Sequence, residues 1–365
     1  MARKWVYVIA PGGVRAQGGM GRVVAHLTRR LATDGEFALA SLDTYGHRVN
    51  ETGAALAMPL HFVRALIGLL GACLGRRIGL AHIHMAAYGS VYRKSLLIAI
   101  CRAFRVPTIV HLHGGNLDRF WGELGGWRRA ALRRLFAGVS LVVVLGEYWR
   151  DFAVSALAMP HGRVTVLHNA VPRPPEPVRR PAAGPCRLLF LGMVWPEKGM
   201  GEMLAALAMP EVAALAWHLT VAGIGDIAGY RAEAERRGIG NRIAFVGWAD
   251  EGEICALLTR SDILLLPSHF ECFPMAVIEA MAYGLAVIVT RVGSVEEAIT
   301  DGESGLLVPV GDSPALGWAI RRLIEEPDLQ RRLGARARAR FCEKFDLDIL
   351  ERRVRDLYRT HIAAD

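Results

Sequence analysis

The sequence predicts an α/β protein made of two doubly wound domains, each built on a parallel sheet. Its 365 residues exceed what one hydrophobic core usually serves, which favours two domains. Apolar strand-like runs alternate with helical patterns along the chain, as in sheets assembled from strand–helix–strand units. Residues 172–185 hold six prolines in fourteen positions, which no helix or central strand tolerates. This segment is therefore predicted to be the linker between the domains.

Twelve strands are expected, six in each domain. In the first half of the chain they are Lys4–Ile9, Phe37–Leu42, Leu80–His84, Pro107–His111, Leu141–Leu145 and Val164–Leu167. In the second half they are Arg187–Leu191, Leu219–Ala222, Ile243–Val246, Ile263–Leu266, Ala286–Thr290 and Gly305–Val308. Because such folds bind ligands at the carboxyl ends of their strands, we expect the domains to face each other across a cleft. The predicted domains are residues 1–175 and 186–342, followed by a C-terminal helix over 343–365 whose packing partner stays open.

Charge is distributed unevenly between the two halves. Residues 1–180 hold 24 Lys/Arg against 9 Asp/Glu, a net charge of +15, whereas residues 181–365 hold 20 against 26, a net charge of −6. A basic domain suits nucleic acid, an anionic membrane or a phosphorylated substrate. The sequence has no zinc-finger or RNA-recognition pattern, so no nucleic-acid partner is expected and the membrane interpretation leads.

Several features favour a cytoplasmic protein. The hydrophobic fraction of 52% makes a membrane span the first possibility to exclude. The most apolar candidate, residues 54–75, contains His61 and Arg64, which favours a buried or surface-lying helix over a span. The N-terminus runs directly into a strand-like segment, so no export signal is expected. The six cysteines lie far apart without zinc-ligand spacing and are interpreted as reduced thiols.

The most informative segment for function is residues 262–282. A buried strand is predicted to end near Ser268, a short loop carries Glu271, and the helix that follows carries Glu279 in its second turn. The N–H groups of residues 273–276 lie between the two carboxylates, at the positive end of the helix. Such amides suit a diphosphate, and carboxylates suit sugar hydroxyls. A surface-charged helix is the alternative, but Glu279 lies in a strongly apolar helix, where an unpaired carboxylate is costly.

Other candidate residues lie at predicted strand ends. Lys198 follows the first strand of the second domain, where a cation can neutralise a departing diphosphate, although an isolated lysine is more often a solvated charge. His111 and His113 end the fourth strand and share one face, and we favour His113 as a substrate contact over a structural histidine. The glycine-rich loop over residues 10–21 lacks the spacing of the NAD-binding fingerprint. It suits either an anion site or a plain turn.

These segments resemble the family 4 glycosyltransferases, which have the GT-B fold of two Rossmann-like domains. Glu271 and Glu279 reproduce the family's E-x₇-E motif, residues 192–199 match its basic motif, and residues 292–312 resemble the segment that follows. The resemblance implies that Glu279 holds the donor ribose and Glu271 the transferred sugar. It also implies that Lys198 stabilises the leaving diphosphate and that backbone amides from Phe273 to Met275 bind the phosphates.

The resemblance also implies the composition of the site. The donor-binding residues are then Gly19, Gly192, Lys198, Glu271, Cys272, Phe273, Pro274, Met275 and Glu279, and the catalytic residues are Glu271, Lys198 and His113. Retention of anomeric configuration is implied, with a UDP-, GDP- or ADP-sugar as donor, no cofactor and no obligatory metal. The family often has an arginine five residues before Lys198, where this chain has Met193. Arg15 or another basic side chain is the candidate substitute.

A basic, aromatic segment in the first domain suggests the acceptor. Residues 76–134 hold 11 Lys/Arg against 2 Asp/Glu. Trp121, Trp127, Arg128 and Arg129 are the candidate acceptor or membrane contacts, since a basic helix bounded by aromatic residues is typical of an interfacial helix. We expect a peripheral protein on the inner face of the plasma membrane that extends a lipid-linked saccharide for a surface polysaccharide. A solvated basic face packed on its own sheet is the alternative.

Two other functions remain open at this point. A nucleotide-sugar 2-epimerase shares the two-domain architecture, but its acid and base residues cannot be assigned here. A non-catalytic subunit that binds sugar nucleotides and supports a separate transferase is compatible with Met193. Products formed from the donor alone, or binding without transfer, would distinguish these functions from a hexosyltransferase.

Overall fold

The computed structural model describes residues 5–13, 19–33, 35–46, 54–174 and 184–362. The chain divides into an N-terminal domain, residues 1–170 and 347–365, and a C-terminal domain, residues 171–346. Most of the predicted linker, residues 175–183, lies outside the described residues. Among the described residues, no helix combines the length and the hydropathy of a membrane span. All six cysteines are free thiols.

The N-terminal domain has a six-stranded parallel sheet with the order β2-β1-β3-β4-β5-β6. Its strands are β1 Trp5–Ala10, β2 Ala38–Asp43, β3 Ile78–Met85, β4 Thr108–Leu112, β5 Leu141–Val144 and β6 Val164–Val166. Its helices are α1 Gly19–Thr33, α2 Ala54–Leu74, α3 Gly89–Ala103, α4 Leu117–Glu123, α5 Gly126–Phe136, α6 Glu147–Ser155 and α15 Leu347–His361. Every residue of β3 is buried, as expected for a central parallel strand covered on both faces.

The C-terminal domain repeats this architecture with the strand order β12-β11-β10-β7-β8-β9. Its strands are β7 Cys186–Leu191, β8 Trp217–Ala222, β9 Ile243–Gly247, β10 Ile263–Leu266, β11 Ala286–Thr290 and β12 Leu306–Val308. Its helices are α7 Met200–Leu207, α8 Pro210–Ala213, α9 Ile227–Arg236, α10 Glu251–Arg260, α11 Met275–Ala282, α12 Val295–Ala298, α13 Ser313–Glu325 and α14 Pro327–Lys344. The strand order reverses between β7 and β10, which is where folds of this type bind ligands.

The C-terminal helix α15 completes the N-terminal domain, which answers the question of its packing partner. Tyr358 is buried and its ring meets Phe37 edge-on, with centroids 5.5 Å apart. The Arg355 and Arg359 guanidinium groups each donate to the Glu36 carboxylate at 2.6 Å. The chain changes domain at residue 347, later than the predicted helix start at 343. The reason is that the preceding residues pack in the C-terminal domain, where the buried Asp346 pairs with Arg173 at 2.6 Å.

The predicted fold class is confirmed, because each domain is a Rossmann-like α/β unit on a parallel sheet. All twelve predicted strands overlap an observed strand, and their ends differ from the observed ends by at most two residues. Apolar runs predict these strands well because a parallel sheet buries both of its faces.

Candidate active site

Two predicted site residues, Lys198 and Glu271, meet near the carboxyl end of β10. Lys198 reaches this point from the 3₁₀ turn Pro196–Lys198 after the adjacent strand β7. Its Nζ lies 2.6 Å from Glu271 Oε1, and Ser268 Oγ donates to the same oxygen at 2.8 Å. The two charged side chains keep 20% and 12% of their surface exposed. The ion pair is therefore mostly shielded from water but still accessible to a ligand.

Two glycines hold the Glu271 loop against its neighbours. Gly199 has φ 72° and approaches the Pro267 carbonyl so closely that a Cβ would lie 2.0 Å from the oxygen. Gly293 has φ 54°, and a Cβ there would lie 1.9 Å from the Glu271 carbonyl oxygen. Any side chain at either position would both adopt a disfavoured φ and displace the loop backbone. The position of Glu271 is therefore fixed by backbone packing on both sides.

Helix α11 begins directly after this loop and directs its N-terminus toward the same end of the sheet. The N–H groups in the first turn of a helix have no acceptor within the helix and carry partial positive charge. Glu279 lies in the second turn and is buried, with 7% of its surface exposed. Phe273 is also buried, with its ring centroid 5.5 Å from that of Phe345. One carboxylate, Glu271, thus lies in the loop before α11, and the other, Glu279, lies in its second turn.

The loop after β7 packs closely on the loop after β8. Gly192 donates its N–H to the Ala222 carbonyl at 3.1 Å. A Cβ on Gly223 would lie 1.6 Å from the Gly192 carbonyl oxygen, so only glycine fits there. Met193 follows in this loop and is half-buried. Arg15, the candidate substitute for the missing arginine, lies outside the described residues.

The predicted residues of the N-terminal domain also lie at strand ends. His113 follows β4 and is half-buried, and its Nε2 lies 2.8 Å from His84 Nδ1. Burial lowers the pKa of His113 to about 3, so the ring is neutral at physiological pH. Gly19 begins α1, but most of the glycine loop, residues 14–18, lies outside the described residues. The described part of the loop is anchored by Asp43, whose Oδ1 accepts from Gly12 N at 2.7 Å.

The candidate membrane residues cluster on α4 and α5. Trp127 is 73% exposed, and Arg128 is also exposed. Arg129 donates to the Trp121 carbonyl at 3.0 Å, which joins the two helices. The Arg128 guanidinium lies 5.2 Å from the Trp127 ring centroid. Trp127 and Arg128 are therefore available to a partner, whereas Arg129 has a structural contact.

Sequence reasoning missed three groups near the strand ends. His82 and His84 on β3 pack beside His111 and His113, and the repeated H-x-H spacing on two strands was the available signal. Lys94 is fully buried and donates to Thr44 Oγ1, which no local pattern indicated. His269 contacts Glu202 at 2.7 Å beside the Glu271 loop.

Two Rossmann-like domains, with an E-x₇-E segment and a lysine at the carboxyl edge of the second sheet, define a glycosyltransferase of GT-B architecture. Residues 17–173 match the family model described as Glycosyltransferase Family 4, and residues 177–340 match the model described as Glycosyl transferases group 1. The chain belongs to glycosyltransferase family 4.

Curated relatives of several specificities are similar to this chain. Glycogen synthase of Mycobacterium tuberculosis is 28% identical over 260 residues, which cover 68% of this chain and 62% of the relative. The match thus spans less than two thirds of that relative's length. Phosphatidyl-myo-inositol mannosyltransferase of Mycobacterium leprae is 29% identical over 287 residues, covering 76% of this chain and 72% of the relative. The amylovoran biosynthesis glycosyltransferase AmsK of Erwinia amylovora is 28% identical, covering 75% and 68%.

Solved structures share the fold over nearly the whole chain. Sucrose-phosphate synthase from Thermosynechococcus elongatus superposes with a TM-score of 0.78 at 20% identity, covering 98% of this chain and 99% of that one. HepE from Anabaena, solved with UDP and glucose, gives a TM-score of 0.73 at 15% identity and covers 98% and 100%. At these identities the likeness establishes the GT-B fold and leaves the substrates open.

Proposed function

We propose that the protein is a retaining hexosyltransferase that uses a nucleotide-diphosphate sugar as donor and a saccharide as acceptor. The observation that carries the proposal is the Lys198–Glu271 pair, held at 2.6 Å beside the N-terminus of α11. A cation and a helix N-terminus suit the phosphates of a sugar diphosphate, and a carboxylate suits the hydroxyls of its sugar. The HepE structures with UDP and UDP-glucose support a donor of this class.

Donor binding is proposed to exchange the partners of this ion pair. Lys198 releases Glu271 and turns to the diphosphate, while the first N–H groups of α11 bind the phosphate oxygens. Glu271 then accepts hydrogen bonds from hydroxyls of the transferred sugar, and Glu279 from the ribose. Negative charge grows on the diphosphate as the glycosidic bond breaks, and Lys198 stabilises that charge. We therefore propose transfer that needs no divalent metal.

The test is an assay of the full chain with UDP-, GDP- and ADP-sugars. Nuclear magnetic resonance spectroscopy follows donor consumption and the anomeric configuration of the product. We expect one donor class to be used with retention, and Lys198→Met and Glu271→Gln to lower kcat by about 10²–10³-fold. Glu211→Gln, an exposed glutamate on α8, is the matched control and should keep full activity. Inversion would refute the mechanism, and absence of donor binding would refute the site.

The two alternatives give different products in the same assay. An epimerised sugar formed from the donor without acceptor would identify a nucleotide-sugar 2-epimerase. Donor binding without transfer or slow hydrolysis would identify a non-catalytic subunit. Family membership and the Lys198–Glu271 geometry favour transfer over both.

For the acceptor we propose a lipid-linked saccharide at the inner face of the plasma membrane. Residues 54–117 hold seven Lys/Arg and no Asp/Glu. Within that segment, α2 exposes an apolar stripe formed by Leu60, Val63, Ile67 and Leu74, spaced as one helix face. Exposed apolar side chains among basic ones fit an anionic lipid surface. The name of one relative, phosphatidyl-myo-inositol mannosyltransferase, supports a lipid acceptor.

Flotation with lipid vesicles tests the membrane proposal separately from activity. The wild type should float with vesicles containing phosphatidylglycerol at moderate salt and much less with pure phosphatidylcholine. Ile67→Glu should weaken partitioning about tenfold or more, since one buried aliphatic side chain is worth about 1.5–3 kcal/mol. Trp318→Glu, at an exposed apolar residue of the C-terminal domain, is the control and should not change flotation. If Ile67→Glu floats as well as Trp318→Glu, α2 is not the membrane-binding surface.

A further inference from the structure

Four histidines form a continuous cluster in the N-terminal domain. His82 and His84 alternate with apolar residues on β3, and the strand register places His84 beside His111 on β4. The ring centroids of His82 and His84 are 4.3 Å apart, and those of His84 and His111 are 5.2 Å apart. Each of these three residues has no more than 3% of its surface exposed. His113 adjoins the cluster at the carboxyl end of β4.

The hydrogen bonds of the cluster leave one side of it without partners. His82 Nδ1 lies 2.7 Å from the Tyr358 hydroxyl, and His84 Nδ1 lies 2.8 Å from His113 Nε2. Within the part of the chain that the structure describes, His82 Nε2, His84 Nε2 and both ring nitrogens of His111 are buried and have no hydrogen-bond partner. Buried polar atoms in folded proteins are nearly always satisfied, so this group of nitrogens requires an explanation.

Protonation does not supply that explanation. All three rings are buried, and a charge buried without a partner is costly, so the neutral form of each ring is favoured. A neutral imidazole keeps one nitrogen lone pair, and this lone pair is what a transition metal binds. If Nδ1 of His82 and His84 donates to its neighbour, the lone pair of each ring lies on Nε2.

We propose that His82, His84 and His111 bind a divalent transition-metal ion of the zinc type. One nitrogen from each residue can be chosen so that all three lie within 4.8 Å of one another. Imidazole ligands suit Zn²⁺ and its neighbours in the first transition row, and three histidines leave a fourth position for solvent. The Tyr358 hydroxyl and His113 would orient the ligand rings from behind, as outer partners do in metal sites.

The proposed role of the ion is to hold the domain together rather than to act on the sugar donor. Its ligands join β3 to β4, and through Tyr358 they reach α15, the helix that returns from the end of the chain. The inference does not depend on the proposed transferase activity. Its test therefore uses binding and stability.

The experiment uses the full untagged chain, stripped with a chelator and dialysed. Equilibrium dialysis against ZnCl₂ with elemental analysis should give one tightly bound ion per chain, and the ion should raise the unfolding temperature. His82→Gln and His111→Gln should each lower the affinity at least tenfold. His161→Gln removes an exposed histidine and is the matched control, with unchanged affinity. Binding that is equally strong in all four proteins, or that is absent from the stripped wild type, would overturn the site.

Two further measurements are needed. One uses a milder variant in case the histidine variants fail to fold, and the other tests whether cysteine binds the metal instead. Tyr358→Phe keeps the buried ring and removes only the hydroxyl that contacts His82. It should fold and weaken zinc binding about 10-fold. Co²⁺ bound to the wild type should show the ligand-field bands of an imidazole site without sulfur-to-cobalt charge transfer. A Tyr358→Phe affinity equal to that of the wild type, or a strong thiolate band, would contradict the proposal.

Discussion

The buried lysine of the N-terminal domain makes stability depend on pH in a way that one substitution can isolate. Lys94 is fully buried on α3 and donates to Thr44 Oγ1. Burial is the largest effect on its pKa, the nearby Arg93 lowers it further and Asp43 opposes both. The pKa of Lys94 is thereby lowered from 10.5 to about 7. Replacing Lys94 by methionine keeps the length of the side chain and removes the titration.

The size and sign of the effect follow from the two pKa values. Between pH 7 and 10.5 the unfolded chain binds a proton on Lys94 that the folded chain has released, so stability rises with pH in this window. Below pH 7 both states are protonated and the folded state carries the full cost of burying the charge. At about 1.36 kcal/mol per pKa unit, that full cost is about 5 kcal/mol. From pH 7 to pH 9 the free energy of unfolding should increase by about 2 kcal/mol.

Urea unfolding followed by circular dichroism at pH 7, 8 and 9 measures this difference. The wild type should gain about 2 kcal/mol over this range relative to Lys94→Met, because all other titratable groups are common to both proteins. Lys344→Met removes an exposed lysine and should change with pH as the wild type does. If Lys94→Met and the wild type change in parallel, Lys94 titrates normally and the argument from burial is wrong.

Three further predictions concern the candidate donor site. Glu279→Ala should abolish the stabilisation by the correct nucleotide sugar, which in the wild type should reach about 2.7 kcal/mol at a donor concentration of 100 Kd, measured by thermal unfolding against the donor panel. Gly293→Ala should destabilise the protein by more than about 1 kcal/mol and weaken donor binding, because its Cβ would meet the Glu271 carbonyl oxygen. The control is Gly311→Ala, which is also at positive φ but in open space, and it should destabilise the protein without affecting donor binding. Glu271→Gln should keep or strengthen binding of the nucleoside diphosphate product in calorimetry while transfer is lost, and weaker product binding would contradict the proposed exchange of Lys198 partners.

The strands and the E-x₇-E segment could be predicted because their signals are local. A parallel strand buries both of its faces and therefore appears in the sequence as an apolar run. Glu271 and Glu279 lie in one loop and the helix that follows it, so their spacing is visible in a short segment. The Lys198–Glu271 pair spans 73 positions and forms because β7 and β10 are neighbours in the sheet, which strand order alone determines. Similarly, His82 and His84 meet His111 only through the pairing of β3 with β4. Sequence periodicity gives the faces of strands but not which strands are adjacent.

Contacts between segments that are far apart in the sequence could not be predicted either. The pattern of α15 indicates an amphipathic helix but carries no information about which sheet it covers. Its partners are Phe37, His82 and Glu36, each more than 270 positions away. Lys94 was missed for a related reason, since a lone lysine in an apolar helix is ordinarily exposed, and only the tertiary structure reveals its burial.

The proposed donor site has Met193 at a position where the family resemblance implies an arginine, and the charge of the site bears on this difference. Lys198 and Glu271 together carry no net charge, so the pair in its observed geometry offers a diphosphate little attraction. In the proposed mechanism Glu271 accepts hydrogen bonds from the sugar hydroxyls, which leaves Lys198 and the positive end of α11 facing the phosphates. The attraction for the diphosphate would then depend on the presence of the sugar. A permanent arginine at position 193 would attract any nucleotide, with or without its sugar. Under the proposed mechanism, we therefore expect Met193 to favour the intact donor over the nucleoside diphosphate product, with a lower overall affinity.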